Sequence, residues 1–279
     1  MVRKHSLYQF SIMVWWLASM AAVVLVVSGK AEPYVALADV PYGAPGAFGG
    51  AVASVLGGTF LIGRLSARSW KKMGRAAGLS PEEGSLFGKP ALAGTVDGRR
   101  VRAFTYKVRK GSSGEGGSNS VTYTVVEAEL RDPEESGYII GWGEVGQVVD
   151  DVPDQLRQQD LDGEHYLIGD ASAAYGKQVL TRRVRNAFDR PGGPGAVVVG
   201  DPTNAIMAAL PDEMDGPLGS MVTSGLESKL ADRRSFKAGM ASHSERGTLL
   251  DPAELQTRIE AVVAAAQAHE AARAEQPAA

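Results

Sequence analysis

The sequence contains no cysteine. A disulfide, a zinc site built on thiolates and a cysteine nucleophile are therefore excluded. Histidine is scarce as well, with four residues in a chain of 279. His5 and His269 have no catalytic partner nearby in the sequence, and His243 lies between two serines whose side chains point away from it in a strand. No catalytic residue is predicted.

A complete nucleotide-binding motif is also missing. A P-loop requires G-x-x-x-x-G-K-[ST] between a strand and a helix. The loop at 110–120 is rich in glycine and serine, but it has no Lys-Ser/Thr pair and lies between two predicted strands. The stretch from Gly169 to Gly176-Lys177-Gln178 has glycines too far apart and a glutamine after the lysine. No cofactor is predicted.

Hard metal ligands concentrate in one short segment, at Asp160, Asp162 and Glu164. Alternate acidic side chains in a loop can bind Ca²⁺ or Mg²⁺, which makes these three residues the candidate metal ligands. The EF-hand pattern also needs a glycine at its sixth position and a distant glutamate, and both are missing. Further aspartates at 150–154 favour an acidic solvated loop, so no metal site is predicted.

Charged residues are absent from two long stretches, Ser6–Gly29 and Val40–Gly63. A bilayer core of about 30 Å is crossed by about 20 apolar residues in a helix. The turn-forming residues at 41–45 place the start of the second helix near Gly46. The sequence therefore predicts a transmembrane hairpin within residues 1–78, with a cleaved signal peptide as the alternative for the first stretch.

Small residues recur every four positions in the second predicted span. This stripe consists of Gly46, Gly50, Ser54 and Gly58. Small residues at this spacing let two helix backbones approach closely in lipid. The stripe predicts helix packing against the first span, with self-association as the alternative.

The N-terminal part of the chain carries a net positive charge, whereas the rest is acidic. Residues 1–79 hold eight basic and two acidic side chains, whereas residues 80–279 hold 21 basic and 30 acidic ones. The positive-inside rule then predicts a multi-pass cell-membrane protein with both termini in the cytoplasm. Five basic residues share one helix face and are predicted to contact anionic lipid headgroups: Arg64, Arg68, Lys71, Lys72 and Arg75.

The rest of the chain predicts a cytoplasmic α+β domain at 91–270, after a linker at 79–90 and before a disordered tail at 271–279. Strands at Ala91–Thr95 and Val101–Val108 flank Asp97-Gly98, the preferred pair for a two-residue hairpin. Alternating residues predict a further strand at 121–130. Other expected strands are Tyr138–Ile140, Tyr166–Ile168 and Ala196–Val199, and a hairpin is expected at Lys237–Leu250 with its turn at 245–247.

Three helices are predicted in this domain. Ala171–Arg190 and Leu218–Leu230 have helical spacing of their apolar residues. The third begins where Asp251 caps the helix, Pro252 takes the first turn and Glu254 follows. Antiparallel hairpins with helices between and after them indicate an α+β domain, so the predicted fold class is two N-terminal transmembrane helices plus a cytoplasmic α+β domain with antiparallel hairpins.

Several segments resemble a group of uncharacterised membrane-anchored proteins of archaea and bacteria. After the two predicted spans, these segments are Leu92–Val101, Tyr123–Glu127, the stretch from Gly169-Asp170 through Leu180–Arg185, and Leu249–Leu255. The resemblance extends over most of the chain and implies a similar two-span architecture. The group has no agreed activity, so it implies no catalytic residue.

The leading functional hypothesis is a membrane-tethered cytoplasmic domain that binds a protein or organises a complex at the membrane, without catalysis. Membrane lipids and a protein partner are expected, whereas the acidic residues 80–279 disfavour nucleic acid, which requires a basic surface. The alternative is a membrane-bound hydrolase or transferase whose site residues are scattered in sequence. A transporter fits poorly, because neither span carries an ionisable residue.

Overall fold

The computed structural model describes residues 43–82, 89–109, 120–131, 137–142, 157–209, 239–249 and 251–275, together with some positions between 14 and 28. The chain divides into two compact units. The smaller unit comprises Met1–Lys72 and Ser85–Lys89, and the larger unit comprises Met73–Gly84 and Pro90–Ala279.

Helix α1 runs from Gly43 to Ala76. Helical positions also occur between 14 and 25, and within the smaller unit the indole of Trp15 lies against Gly58. A Cβ atom at Gly58 would collide with that ring. This glycine therefore allows a close contact between the two helical segments.

No helix in the part of the chain that the structure describes is both long and apolar enough to cross a membrane. The predicted pair of transmembrane helices and the multi-pass cell-membrane location with cytoplasmic termini are therefore wrong. Helix α1 has the length, with 34 residues, but small residues fill many of its positions and contribute little apolar surface. Ser6–Gly29 contributes only scattered described helical positions.

The larger unit is built on an antiparallel sheet whose strands differ in length. Its described strands follow the order β1-β2-β3-β4-β9-β8-β5-β7-β6, and every neighbouring pair is antiparallel. The strands are β1 Ser80–Pro81, β2 Leu92–Val96, β3 Arg99–Arg109, β4 Ser120–Glu129, β5 Gly137–Trp142, β6 Gln159–Asp160, β7 His165–Gly169, β8 Ala196–Gly200 and β9 Met240–Arg246.

The β2–β3 hairpin predicted at Asp97-Gly98 is confirmed. Val96 pairs with Arg99, and the two residues between them have positive φ angles of 50° and 73°. Both central residues of a type I′ turn need a positive φ, which aspartate tolerates and glycine adopts freely. The predicted linker at 79–90 contains β1, which pairs with β2.

The predicted hairpin at 237–250 is wrong. The segment forms one strand, β9, which lies between β4 and β8 and pairs with both. Its partners are distant in the sequence, and the local residues that predict a strand do not specify which neighbours it takes. The helix predicted at 218–230 lies outside the described residues.

Four helices of the larger unit are described: α2 Ala173–Val179, α3 Arg182–Phe188, α4 Pro202–Ala208 and α5 Pro252–Ala274. The single helix predicted at 171–190 is wrong, because α2 and α3 are separate. Ser172 caps α2, and Thr181 adopts an extended conformation and caps α3 by accepting a hydrogen bond from the Val184 N–H. A residue with these angles cannot continue the preceding helix.

Helix α5 lies at the centre of the larger unit. Asp251 accepts the Ala253 N–H at 2.9 Å, and Pro252 begins the helix, as predicted. The helix contacts β3, β4, β8 and β9 on one side and α2 and α3 on another. The predicted face with Leu255, Ile259 and Val262 is buried, and alanines on other faces are buried too. The helix continues to Ala274, inside the segment predicted as a disordered tail.

Candidate functional site

A basic cleft lies between α3 and α5. Its volume is about 350 Å³, and its lining residues are Arg182, Arg183, Asn186, Ala187, Arg190 and Glu260. Five of the six belong to α3 or to the turn that follows it, and Glu260 comes from α5. The cleft therefore places three guanidinium groups around one carboxylate.

The local sequence of α3 explains why its arginines face outward. Val184, Ala187 and Phe188 are buried in the core, whereas Arg182, Arg183 and Asn186 are exposed. In a helix, residues three and four positions apart share a side, so burying 184, 187 and 188 turns 182, 183 and 186 toward solvent. The Thr181 cap fixes where this helix begins.

Two of the three cleft arginines already contact carboxylates of the chain. Arg183 donates to Asp97 at 2.6 Å and to Gln267 at 2.5 Å, and Arg190 pairs with Glu260. The hydrogen bond and positive charge of Arg183 hold the pKa of Asp97 below its usual value. These contacts show that the guanidinium groups are positioned to bind carboxylates.

Arg182 and Asn186 differ from the other two polar positions on α3. Neither side chain has a hydrogen-bond or ion-pair partner within the described ranges, although both residues line the cleft. A guanidinium group offers five N–H donors, and an amide offers two donors and an acceptor. The cleft therefore presents unused donors beside a local excess of positive charge.

The chemistry of this arrangement suits an anionic ligand. Arginine binds carboxylate and phosphate groups through paired N–H donors, with charge-assisted hydrogen bonds stronger than neutral ones. The chain as a whole is acidic, with a net charge of −3. The cleft is thus a local basic feature on an acidic protein. No nucleophile or histidine lines it.

The candidate metal ligands lie elsewhere, at the end of β6 and in the loop between β6 and β7. Asp160 accepts the Gly163 N–H at 2.7 Å, and Asp162 accepts the His165 N–H at 2.9 Å. Glu164 is exposed. The two aspartates therefore stabilise the backbone of their own loop, and among the residues described there is no group of three ligands able to hold a metal ion.

Asp162 also joins this loop to α3. His165 Nδ1 lies 3.0 Å from its carboxylate, and Arg185 lies 3.3 Å away. Partial burial raises the pKa of Asp162, but the hydrogen bonds from the side chain and backbone of His165 outweigh that effect and hold the pKa below its usual value. Arg185 forms this ion pair and does not line the cleft.

A second polar cluster is buried between α5 and β9. Arg258 donates to His243 Nε2 at 2.6 Å and pairs with Glu245, while His243 Nδ1 lies 2.8 Å from the carbonyl oxygen of Ala196. The imidazole is neutral, with Nδ1 protonated, because Nε2 accepts from a cation. Burial, followed by the charge of Arg258, lowers the pKa of His243 to about 3.

Two further contacts tie α5 to the sheet. Arg99 forms two hydrogen bonds with Glu270, at 2.6 and 2.5 Å. His269 Nδ1 lies 3.1 Å from the Tyr138 hydroxyl and 2.8 Å from that of Tyr175, and burial raises the pKa of Tyr138. None of these residues lines the cleft, so they position α5 without contacting a ligand there.

The predicted packing and lipid-contact residues all belong to α1. Within the stripe, Gly58 contacts Trp15, a Cβ at Gly50 would meet no atom within 4 Å, and Ser54 is exposed. Gly46 is helical. The five basic residues from Arg64 to Arg75 are exposed. Self-association through the stripe and contact with lipid headgroups stay predictions.

The cleft was not predicted from the sequence. The segment Leu180–Arg185 was part of the predicted helix Ala171–Arg190 and of the family resemblance, and its arginines received no role. The signal was the spacing of 182, 186 and 190, which recurs every four residues beside an apolar face. Asp97 and Glu260 could not have been included, because only the fold brings them to α3.

Comparison with known proteins gives little further information. The chain matches no family model and no curated protein sequence. Among solved structures, it is similar to the crystal structure of the mycobacterial trehalose monomycolate transport factor A, TtfA, with 8% identity and a TM-score of 0.38, over 72% of this chain and 93% of that one. A similarity this low supports no conclusion about fold or function.

Proposed function

We propose that the larger unit is a binding domain that holds an acidic segment of a partner protein in the cleft between α3 and α5. The observation that carries the proposal is the pair Arg182 and Asn186, which line the cleft without a partner among the described residues. Arg183 and Arg190 flank them, and both pair with carboxylates. Arg clusters of this kind recognise acidic protein segments.

The charge of the rest of the chain favours a selective ligand. Residues 80–279 hold 30 acidic and 21 basic side chains. A long polyanion such as a nucleic acid would be repelled by this acidic surface beyond the cleft. A short acidic peptide segment contacts the cleft alone and avoids most of that repulsion.

Binding is favoured over catalysis by where the reactive side chains lie. His165, His243 and His269 are buried and hydrogen-bonded away from the cleft. A general base must come within hydrogen-bond reach of its substrate. The cleft residues instead offer donors and positive charge, which bind an anion and supply no nucleophile.

The test uses the full chain and labelled peptides of equal length. One peptide carries glutamates and aspartates, and its control carries the matching amides. We expect fluorescence anisotropy to show binding of the acidic peptide only, with affinity falling as salt rises. Arg182→Glu should weaken binding by at least about tenfold, because it replaces a charge-assisted hydrogen bond with repulsion.

Arg100→Glu is the matched control, since it makes the same charge reversal at an exposed arginine that pairs with Glu82 outside the cleft. It should leave the affinity within about twofold. Equal binding of the acidic and amide peptides, or equal loss in both arginine variants, contradicts the proposal. Tighter binding of a single-stranded oligonucleotide than of the acidic peptide contradicts it as well.

A further inference from the structure

The chain supplies its own carboxylate to Arg183, one of the arginines that line the cleft. Asp97 Oδ2 lies 2.6 Å from Arg183 Nη2, and Arg183 also donates to Gln267. Asp97 belongs to the β2–β3 turn, which is distant from α3 in the sequence. A ligand carboxylate that binds Arg183 must therefore displace Asp97 from its guanidinium group.

The ion pair between Asp97 and Arg183 is exposed to solvent, so a ligand can replace Asp97 in it. The side chains of Asp97 and Arg183 are 44% and 54% exposed. An exposed ion pair of this kind changes an equilibrium constant by no more than about fivefold. Asp97 occupies the tip of a two-residue turn, so its side chain can leave Arg183 without disturbing the strands.

Glu260 is held differently. It belongs to the buried helix α5, pairs with Arg190 and also accepts a hydrogen bond from Gln256 at 3.3 Å. The helix backbone keeps Glu260 in the cleft wall, whereas Asp97 lies at the tip of a turn and does not line the cleft. Of the two carboxylates that pair with cleft arginines, Asp97 is therefore the one that a ligand can replace.

We infer that the β2–β3 turn is an internal competitor for the binding site. In the free protein Asp97 occupies Arg183, and an acidic ligand displaces it while using Arg182 as a first contact. This inference rests on the proposed function, because it concerns the same cleft. It assigns to Asp97 a role in setting affinity in addition to its role in the turn.

The test is Asp97→Asn, measured with the acidic peptide and the full chain. Asparagine also tolerates a positive φ, so the turn is retained while the charge is removed. We expect binding to strengthen by about two- to fivefold, because the internal competitor is weakened. Asp97→Gly, which also suits this turn, should give the same change in affinity. It replaces the asparagine variant in the test if that variant has a lowered melting temperature.

Two comparisons separate competition from a general charge effect. Glu82→Gln makes the same change in net charge at an ion pair outside the cleft, and it should leave affinity nearly unchanged. In an Arg183→Ala background, Asp97→Asn should have no effect on affinity, because the guanidinium group for which Asp97 and the peptide compete is missing.

The outcomes distinguish this inference from the proposed function. If the acidic peptide binds and Arg182→Glu weakens it, but Asp97→Asn and Glu82→Gln give equal affinities, the internal competitor is contradicted and the binding site stands. If the acidic peptide binds no variant, both proposals are contradicted.

Discussion

Arg258 is only 5% exposed, and it contacts two side chains of β9 from its position on α5. A buried guanidinium costs several kcal/mol in desolvation unless its charge and donors are satisfied. Glu245 supplies the charge, and His243 supplies an acceptor. The contact is therefore specific to one register of α5 on the sheet, since a shifted helix would leave the charge buried and unpaired.

His243 makes the stability of the domain sensitive to acid. Burial lowers its folded pKa from 6.5 to about 3, so between these values the unfolded chain binds a proton that the folded chain does not. The stabilisation is complete above about pH 6.5 and is lost as pH falls toward 3. We expect the free energy of unfolding to drop by about 2 kcal/mol from pH 7 to pH 5 on account of His243.

The measurement is urea unfolding at both pH values for the wild type and for His243→Gln. Glutamine does not titrate, so the drop between pH 7 and pH 5 should be smaller in the variant by about that amount. Comparing the two drops removes any constant cost of the substitution itself. Equal decreases in the free energy of unfolding for the two proteins would show that a group other than His243 causes the sensitivity to acid.

Glu270 is the second residue-scale test. Its partner Arg99 is 4% exposed, so removing the carboxylate leaves a buried cation unpaired. We expect Glu270→Ala to lower the free energy of unfolding by about 3–5 kcal/mol. Glu82→Ala removes a carboxylate paired with Arg100 and Arg102, whose side chains are 62% and 26% exposed and stay solvated, and it should cost about 1 kcal/mol or less. Similar losses in the two variants would contradict this difference in burial.

At the scale of elements, local signals were predicted well where the residues themselves determine the backbone. Asp97-Gly98 specifies its turn because the geometry needs two positive φ angles. Asp251-Pro252 specifies the start of α5 because the cap and the proline both suit a first turn. Each of these predictions depends only on neighbours in the sequence.

The failed predictions depended on distant or competing partners. A threonine can lie within a helix or cap the next one, and Thr181 does the second. The residues of β9 are compatible with a hairpin or with insertion between two other strands, and the structure has the insertion. The cleft was missed for the same reason, since α3 was predicted as part of a longer helix and Asp97 and Glu260 reach it only through the fold.

The cap of α5 gives a prediction at this scale. Asp251 accepts the Ala253 N–H, which would otherwise lack a partner at the helix start. We expect Asp251→Ala to lower the free energy of unfolding by about 1 kcal/mol, whereas Asp251→Asn should stay near the wild type because asparagine caps equally well. Chemical denaturation of the three proteins measures this. An asparagine variant as unstable as the alanine variant would show that charge, and not the cap, is responsible.

At the scale of the whole molecule, the larger unit begins before the strand β2. Met73 and Leu79 are buried, β1 pairs with β2, and Leu79 lies against Gly94. Burying two large apolar side chains stabilises a fold by about 3–6 kcal/mol. We expect a fragment of residues 91–279 to melt roughly 10 °C below a fragment of residues 73–279. Thermal unfolding followed by circular dichroism tests this, and equal melting temperatures would contradict it.

The place of β9 in the sheet has a consequence during synthesis. A ribosome makes the chain from its N-terminus, so β1–β8 emerge before residues 240–246, which form the strand between β4 and β8. Until then, the described strands form two halves of the sheet with β4 and the apolar strand β8 as open edges, and open edges pair readily with other chains. The sheet of the larger unit can be completed only after β9 is made, when more than half of the unit has already been synthesised. We therefore expect the yield of folded protein in cells to depend on chaperones that shield those two strands.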